Sequence, residues 1–139
     1  MLKLWSNIFK DYGIAGTQIE DKAFRRSVWD KVITNADQHN DPGKFTAFIG
    51  YEWTSWRYFI HRVVIFEDDG HKARRFLPFS QNDSDKPEDL WAYLSLYEQE
   101  TGGNVFAIPH NGNLTRGYMF LPADSKGLPL SKAYAADRN

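Results

Sequence analysis

Three side chains that can bind a divalent metal ion lie within or next to hydrophobic, strand-like stretches of the sequence. Glu52 lies within FIGYEWTS, His61 begins HRVVIFED, and His110 follows NVFAIP. One carboxylate and two imidazoles suit Zn²⁺, Mn²⁺ or Fe²⁺, none of which requires a thiolate ligand. We therefore predict a divalent-metal site at Glu52, His61 and His110, and expect the same residues to carry any metal-dependent catalysis.

Polar residues beside these candidates could hold a substrate. Asn111 and Asn113 come directly after His110, and their side-chain amides could orient a substrate oxygen. Arg62 follows His61, and its guanidinium could bind an anion. These residues are the predicted substrate-binding groups.

Each candidate also has a simpler interpretation. Glu52 could form only a salt bridge with Arg57 or Arg62, His110 could only cap a turn, and arginines that flank a strand are commonly exposed. No sequence-local motif such as H-E-x-x-H is present to decide between these interpretations. Both stay open from the sequence alone.

Hydrophobic periodicity predicts the elements that must position these residues. Helices are expected at residues 2–11, at 20–39, and from Pro87 to the Gly102–Gly103 pair, where proline favours a helix start and glycine a helix end. Strands are expected at about 45–52, 61–67 and 104–108, with an irregular loop over 68–86. The first strand is rich in aromatic and β-branched residues and is predicted to be buried on both faces.

The connections between these elements predict where the three candidate ligands meet. About eight residues separate Glu52 from His61, too few for a parallel crossover, so the first two strands should be antiparallel. The third strand follows a helix and should run in the direction of the first. His110 would then join Glu52 and His61 at one rim of the sheet, where sites in α/β folds collect.

Composition limits the classes of protein that this chain can represent. Its 139 residues fit one domain, and the net charge of −1 argues against a nucleic-acid partner. The alternative is binding of single-stranded nucleic acid, by base stacking together with basic groups, through Trp53, Trp56, Arg57, Tyr58 and Arg62. No apolar run is long enough for a membrane helix and no signal peptide is visible, so we expect a soluble chain without a membrane partner. The absence of cysteine leaves the compartment undetermined.

Several motifs, in order, resemble domain-of-unknown-function family 3604 of the polymerase-and-histidinol-phosphatase (PHP) group of metallohydrolases. They are FTAFIGYEWTS, HRVVIFED, PFS, PEDLWAYL and TGGNVFAIPHNGN. The resemblance implies an α/β fold, namely a distorted β/α barrel with metal ions at its rim. It also implies a hydrolase that acts on small phosphate or sulfate esters. It also implies that Glu52 bridges metal ions, that His61 and His110 are ligands, and that Asn111 and Asn113 face the substrate.

Two departures from the family pattern affect the expected activity. No H-x-H pair occurs, and no histidine follows His110, so the Asp-x-His expected near the end of the barrel is absent there. Residues 1–139 are therefore expected to form one incomplete piece of a larger barrel, with about three core strands and flanking helices. We expect weak metal binding, and self-association through exposed edges and apolar faces. Whether the chain is an enzyme is left open, the alternative being an inactive fragment or remnant that acts as an assembly module.

Overall fold

The computed structural model describes residues 21–130, which adopt a mixed α/β fold with an open antiparallel sheet and flanking helices. The elements in order are α1 (Lys22–His39), β1 (Ile49–Ser55), β2 (Ile60–Phe66), α2 (Gly70–Ala73), α3 (Pro87–Thr101) and β3 (Val105–His110). Two short 3₁₀ helices follow, at Gly112–Leu114 and Tyr118–Phe120. The helix predicted at residues 2–11 lies outside the described residues.

The two long helices follow the predicted bounds closely: α1 begins at Lys22, two residues after its predicted start, and ends at His39 as predicted. The Asp21 carboxylate caps α1 by accepting hydrogen bonds from the backbone N–H groups of Ala23 and Phe24, at 2.8 and 3.4 Å. Pro87 begins α3, and Gly102 ends it with a left-handed φ of 61°. Both predicted helices are therefore confirmed. Within residues 21–130, no helix is long and apolar enough to cross a membrane.

The sheet has the strand order β1-β2-β3, and both neighbouring pairs are antiparallel. The predicted hairpin of β1 and β2 is confirmed, and β3 runs in the direction of β1 although β2 separates them. Strand β1 starts later than predicted, because Asp41 and Phe45 pair with each other across a turn whose Gly43 has a φ of 86°. That turn removes Phe45 from the strand.

One face of the sheet packs against α1 and α3 and forms the core. Its buried side chains include Trp53, Val64 and Phe66 from the sheet, together with Ile33 of α1 and Leu94 of α3. Within the described residues, α1 and α3 cover only this one of the two faces of the sheet. Within residues 21–130 the first strand is therefore buried on one face, and the predicted burial on both faces is not observed there.

The opposite face of the sheet, which we call the open face, is partly exposed in the described part of the chain. It carries the alternate residues of each strand: Gly50, Glu52 and Thr54; His61, Val63 and Ile65; Phe106, Ile108 and His110. Phe106 and Ile108 are 57% and 49% exposed. Hydrophobic and polar side chains thus share this face, the polar ones nearer the end where β2 begins.

Asp68 connects the far end of the sheet to the helices. Its carboxylate accepts hydrogen bonds from Lys72 Nζ at 2.7 Å, from Tyr97 Oη at 2.9 Å, and from the backbone N–H of Asn104 at 2.9 Å. These partners belong to α2, to α3 and to the residue just before β3. A single side chain therefore helps to hold β3 beside β2.

Candidate functional site

The closest contact among the predicted site residues joins Glu52 to His61. Oε1 of Glu52 lies 2.9 Å from Nδ1 of His61, and Oγ1 of Thr54 lies 3.1 Å from the same nitrogen. Thr54 is directly opposite His61 in the β1–β2 register, and Glu52 is two residues earlier on the same face. The alternation of side chains along β1 thus places two oxygen groups on one imidazole nitrogen.

His110 joins this pair through the second strand pairing. It is directly opposite His61 in the β2–β3 register, and the two rings are 6.5 Å apart at an interplanar angle of 87°. Glu52, His61 and His110 therefore share the open face toward the end where β2 begins, although Glu52 lies in the middle of β1 and not at its carboxyl end as predicted. The final residue of β3 is His110 itself, two residues beyond the predicted end.

These three residues are neighbours but do not form a complete ligand set in this conformation. Among residues 21–130, no group of three or more His, Cys, Asp or Glu residues is arranged to hold a metal ion. The donor types nevertheless suit Zn²⁺, Mn²⁺ or Fe²⁺. The metal site therefore stays a prediction, with its donors gathered on one surface.

The Glu52 contact determines which nitrogen of His61 is available to a ligand. An ionised carboxylate can only accept a hydrogen bond, so Nδ1 of His61 must carry the proton that points at Glu52. In the neutral imidazole, Nε2 then holds the lone pair, on the opposite side of the ring. Such a carboxylate–imidazole pair is a common way to orient a metal-binding histidine. The same nitrogen could instead accept a proton from a substrate.

The two asparagines lie in the loop that leaves the open face after His110. Asn111 adopts a left-handed φ of 52°, a conformation in which asparagine is enriched, and precedes the 3₁₀ helix Gly112–Leu114. Its carbonyl accepts a hydrogen bond from the backbone N–H of Leu114 at 2.9 Å. Asn111 and Asn113 are both exposed, so their side-chain amides are accessible to a ligand.

Arg62 lies apart from the other predicted site residues. It follows His61 on β2 and therefore points to the core face, where it is 9% exposed. Its guanidinium carbon lies 4.8 Å from the ring centre of Trp91, and Nη1 donates to the carbonyl of Ala107 at 3.4 Å. The interpretation of Arg62 as an exposed arginine is wrong, and the structure does not bring it to Glu52, His61 and His110.

Thr54 is the site residue that sequence reasoning missed. Its signal was present, because it lies two positions after Glu52 and the strand period of two puts both on one face. The missing information was the register, which places Thr54 opposite His61. A threonine also lacks the charge that singled out the other candidates.

Together, these features define a mixed α/β protein with a polar cluster near one end of a sheet face that residues 21–130 leave partly exposed. The sequence model of the family described as "Protein of unknown function (DUF3604)" matches residues 6–139. The chain belongs to this family, as its motifs predicted. No curated protein and no solved structure matches the chain.

Proposed function

We propose that this chain supplies Glu52, His61 and His110 to the metal site of a hydrolase that acts on phosphate or sulfate esters. The observation that supports this most directly is the 2.9 Å contact between Glu52 and His61. His110 lies opposite His61 in the β2–β3 register and adds a second imidazole to the same surface. The resemblance to the PHP group of metallohydrolases supplies the substrate class.

Each residue has a distinct part in the proposed chemistry. His61 binds through Nε2, because Glu52 holds the proton on Nδ1. A carboxylate has two oxygens, so Glu52 can orient His61 with Oε1 and bind a metal ion through Oε2. Asn111 orients the ester through its amide. When bound, Zn²⁺, Mn²⁺ or Fe²⁺ would supply Lewis-acid chemistry and lower the pKa of a coordinated water to about 7.

We further propose that the open face is the interior of a distorted β/α barrel completed by additional polypeptide. The half-buried Val63 and Ile65 and the exposed Phe106 and Ile108 support this, because apolar side chains that line one sheet face are normally covered. In such a barrel, the polar end of the face would form the rim. Further ligands would come from the additional strands.

Calorimetric titration of the purified chain with Zn²⁺ and with Mn²⁺ tests the metal site. We expect weak binding that His61→Ala and His110→Ala each reduce further, since each removes a ligand. His71→Ala is the matched control, because His71 is exposed and lies beyond the opposite end of β2. Tight binding that survives the loss of His110 would contradict the proposal, as would equal effects of all three substitutions.

Activity measurements address the reaction itself. The chain is assayed with an aryl phosphate and an aryl sulfate in the presence of each metal ion, and metal content is measured on the same sample. We expect low turnover that depends on added metal and is lost in His61→Ala. Turnover that is unchanged by a chelator would count against a metal-dependent hydrolase.

The exposed hydrophobic part of the open face favours a second candidate function, that of an assembly module. Phe106 and Ile108 are about half exposed, and an apolar patch of this kind commonly marks an interaction surface. Light scattering is expected to show self-association that weakens in Phe106→Ser/Ile108→Ser. A monomer at high concentration would exclude this function for the isolated chain.

A further inference from the structure

A basic cleft lies beside the first turn of α1, away from the open face. Its volume is about 530 Å³, and its lining includes Lys22, Arg25, Arg26, Arg75, Asp83 and Tyr93. None of these residues belongs to the open face, so the cleft is separate from the candidate metal site. Four cationic side chains therefore surround a cleft that the proposed hydrolase reaction does not use.

The charges around this basic cleft are poorly balanced. Among the described residues that line it, Asp83 is the one carboxylate, and it pairs with Arg25 at 3.1 Å. Lys22, Arg25 and Arg26 also lie near the amino end of α1, where the Asp21 carboxylate caps the helix and the first turn adds no further acidic residue. An anion in the cleft would relieve repulsion among these groups.

Backbone contacts hold the three guanidiniums in place. Arg25 Nη2 donates to the carbonyl of Pro78 at 2.8 Å, and Arg26 Nη1 donates to the carbonyl of Arg74 at 2.6 Å. Arg75 Nη1 donates to the carbonyl of Glu100 at 2.8 Å. Each guanidinium carries further N–H groups, so these contacts fix its position and leave donors for a ligand. A preorganised group loses less conformational entropy when it binds.

We propose that the basic cleft binds a phosphate-bearing anion through Arg25, Arg26 and Arg75, with Lys22 adding charge at its exposed side. Guanidinium groups match the oxygens of a phosphate in bidentate geometry, which favours this class of ligand over a simple halide. If Arg25 and Arg26 served only to attach residues 74–79 to α1, and Arg75 only to attach them to α3, their contacts with backbone carbonyls would suffice. Phosphate would then bind no better than chloride. The two interpretations therefore predict different results.

The first test compares inorganic phosphate with chloride at matched ionic strength, by amide chemical shifts of the full chain. We expect phosphate to cause saturable shifts at residues 22–26 and 75–79, and chloride to cause none that saturate there. Equal responses to the two salts would overturn the proposal. Phenyl phosphate distinguishes a phosphate ester from free phosphate as the ligand of the cleft. Tighter binding than that of inorganic phosphate indicates an ester, and equal binding indicates the free anion.

The second test uses variants that preserve the structural arginine contacts of α1. Lys22→Ala/Arg75→Ala removes two exposed cations and should weaken phosphate binding by about tenfold or more. Lys44→Ala is the matched control, because Lys44 is exposed and pairs with Asp41 in a separate turn. Unchanged affinity in the double variant would overturn the proposal. Circular dichroism verifies that each variant is folded. If the double variant is unfolded, the single variant Arg75→Gln is tested in its place.

Discussion

Replacement of Asp68 tests how the sheet is held to its helices. The Asp68 side chain is 13% exposed and accepts hydrogen bonds from Lys72, Tyr97 and the backbone of Asn104. Asp68→Asn keeps the size of the side chain but removes its charge. Asp68→Ala removes every acceptor.

The contacts determine the expected magnitude of each change. Lys72 is 35% exposed and can turn to water, so its bond contributes about 0–1 kcal/mol. Tyr97 is fully buried, and a buried donor without a partner costs about 1–3 kcal/mol. In Asp68→Asn the amide oxygen can keep the bonds from Tyr97 and Asn104, and we expect a loss of about 1–2 kcal/mol in the free energy of unfolding. Asp68→Ala should lose about 2–4 kcal/mol.

The effect of Asp68 should depend on pH with a defined sign. Partial burial alone would raise the pKa of this carboxyl, but the bonds from Lys72, Asn104 and Tyr97 outweigh burial and hold the pKa below its ordinary value. The stabilisation is therefore complete above the unfolded pKa of about 3.9 and is lost as pH falls through the lower folded pKa. The difference in the free energy of unfolding between the wild-type protein and Asp68→Asn should be larger at about pH 7 than at about pH 2.

Urea denaturation at both pH values measures this gap. Asp41→Asn is the control, since the Asp41 carboxylate pairs with the exposed Lys44 at 3.1 Å and should contribute less than about 1 kcal/mol. If Asp68→Asn were no more destabilising than Asp41→Asn, the carboxylate would not connect the elements as described. A gap that widened in acid would refute the assigned direction of the pKa shift.

Three further predictions concern the sheet and its two faces. Gly103→Ala should lower the free energy of unfolding by more than about 1 kcal/mol, because the added Cβ would overlap the Asp68 carboxyl; urea denaturation measures this, and no change would contradict the contact. Thr54→Val should alter the ring ¹⁵N shifts of His61 while changing that free energy by less than about 1.5 kcal/mol; unaltered shifts would remove Thr54 from the site. Val64→Ala should cost about 1–3 kcal/mol because Val64 is fully buried, whereas His61→Gln should cost less; the reverse order in thermal denaturation would be inconsistent with the assigned faces.

The sequence was sufficient to predict the long helices and the hairpin, because their determinants are local. Pro87 and Gly102 define the limits of α3 through fixed backbone preferences. The short link between β1 and β2 permits only an antiparallel pairing. Each inference required a few neighbouring residues and no knowledge of tertiary contacts.

Features that depend on tertiary contacts were less predictable. Helix α2 spans four residues within the predicted loop, and its first backbone N–H, at Gly70, donates to Asp37 of α1 at 3.1 Å. A turn this short has little intrinsic helical stability, so its sequence gives no clear periodicity. Thr54 and His110 likewise acquire their positions opposite His61 from the strand register. A register depends on the packing of whole faces rather than on local preference.

The alternation along β2 connects the stability of the fold to the candidate chemistry. His61 points to the open face and Arg62 to the core face, so a slip of β2 by one residue would exchange an imidazole for a guanidinium beside Glu52. That slip would also move the buried Val64 out of the core and take Arg62 from its position over Trp91. The cost of those losses keeps Nδ1 of His61 within reach of Glu52. Residues with no part in the proposed reaction therefore maintain the Glu52–His61 contact, and that contact determines which nitrogen His61 presents to a ligand.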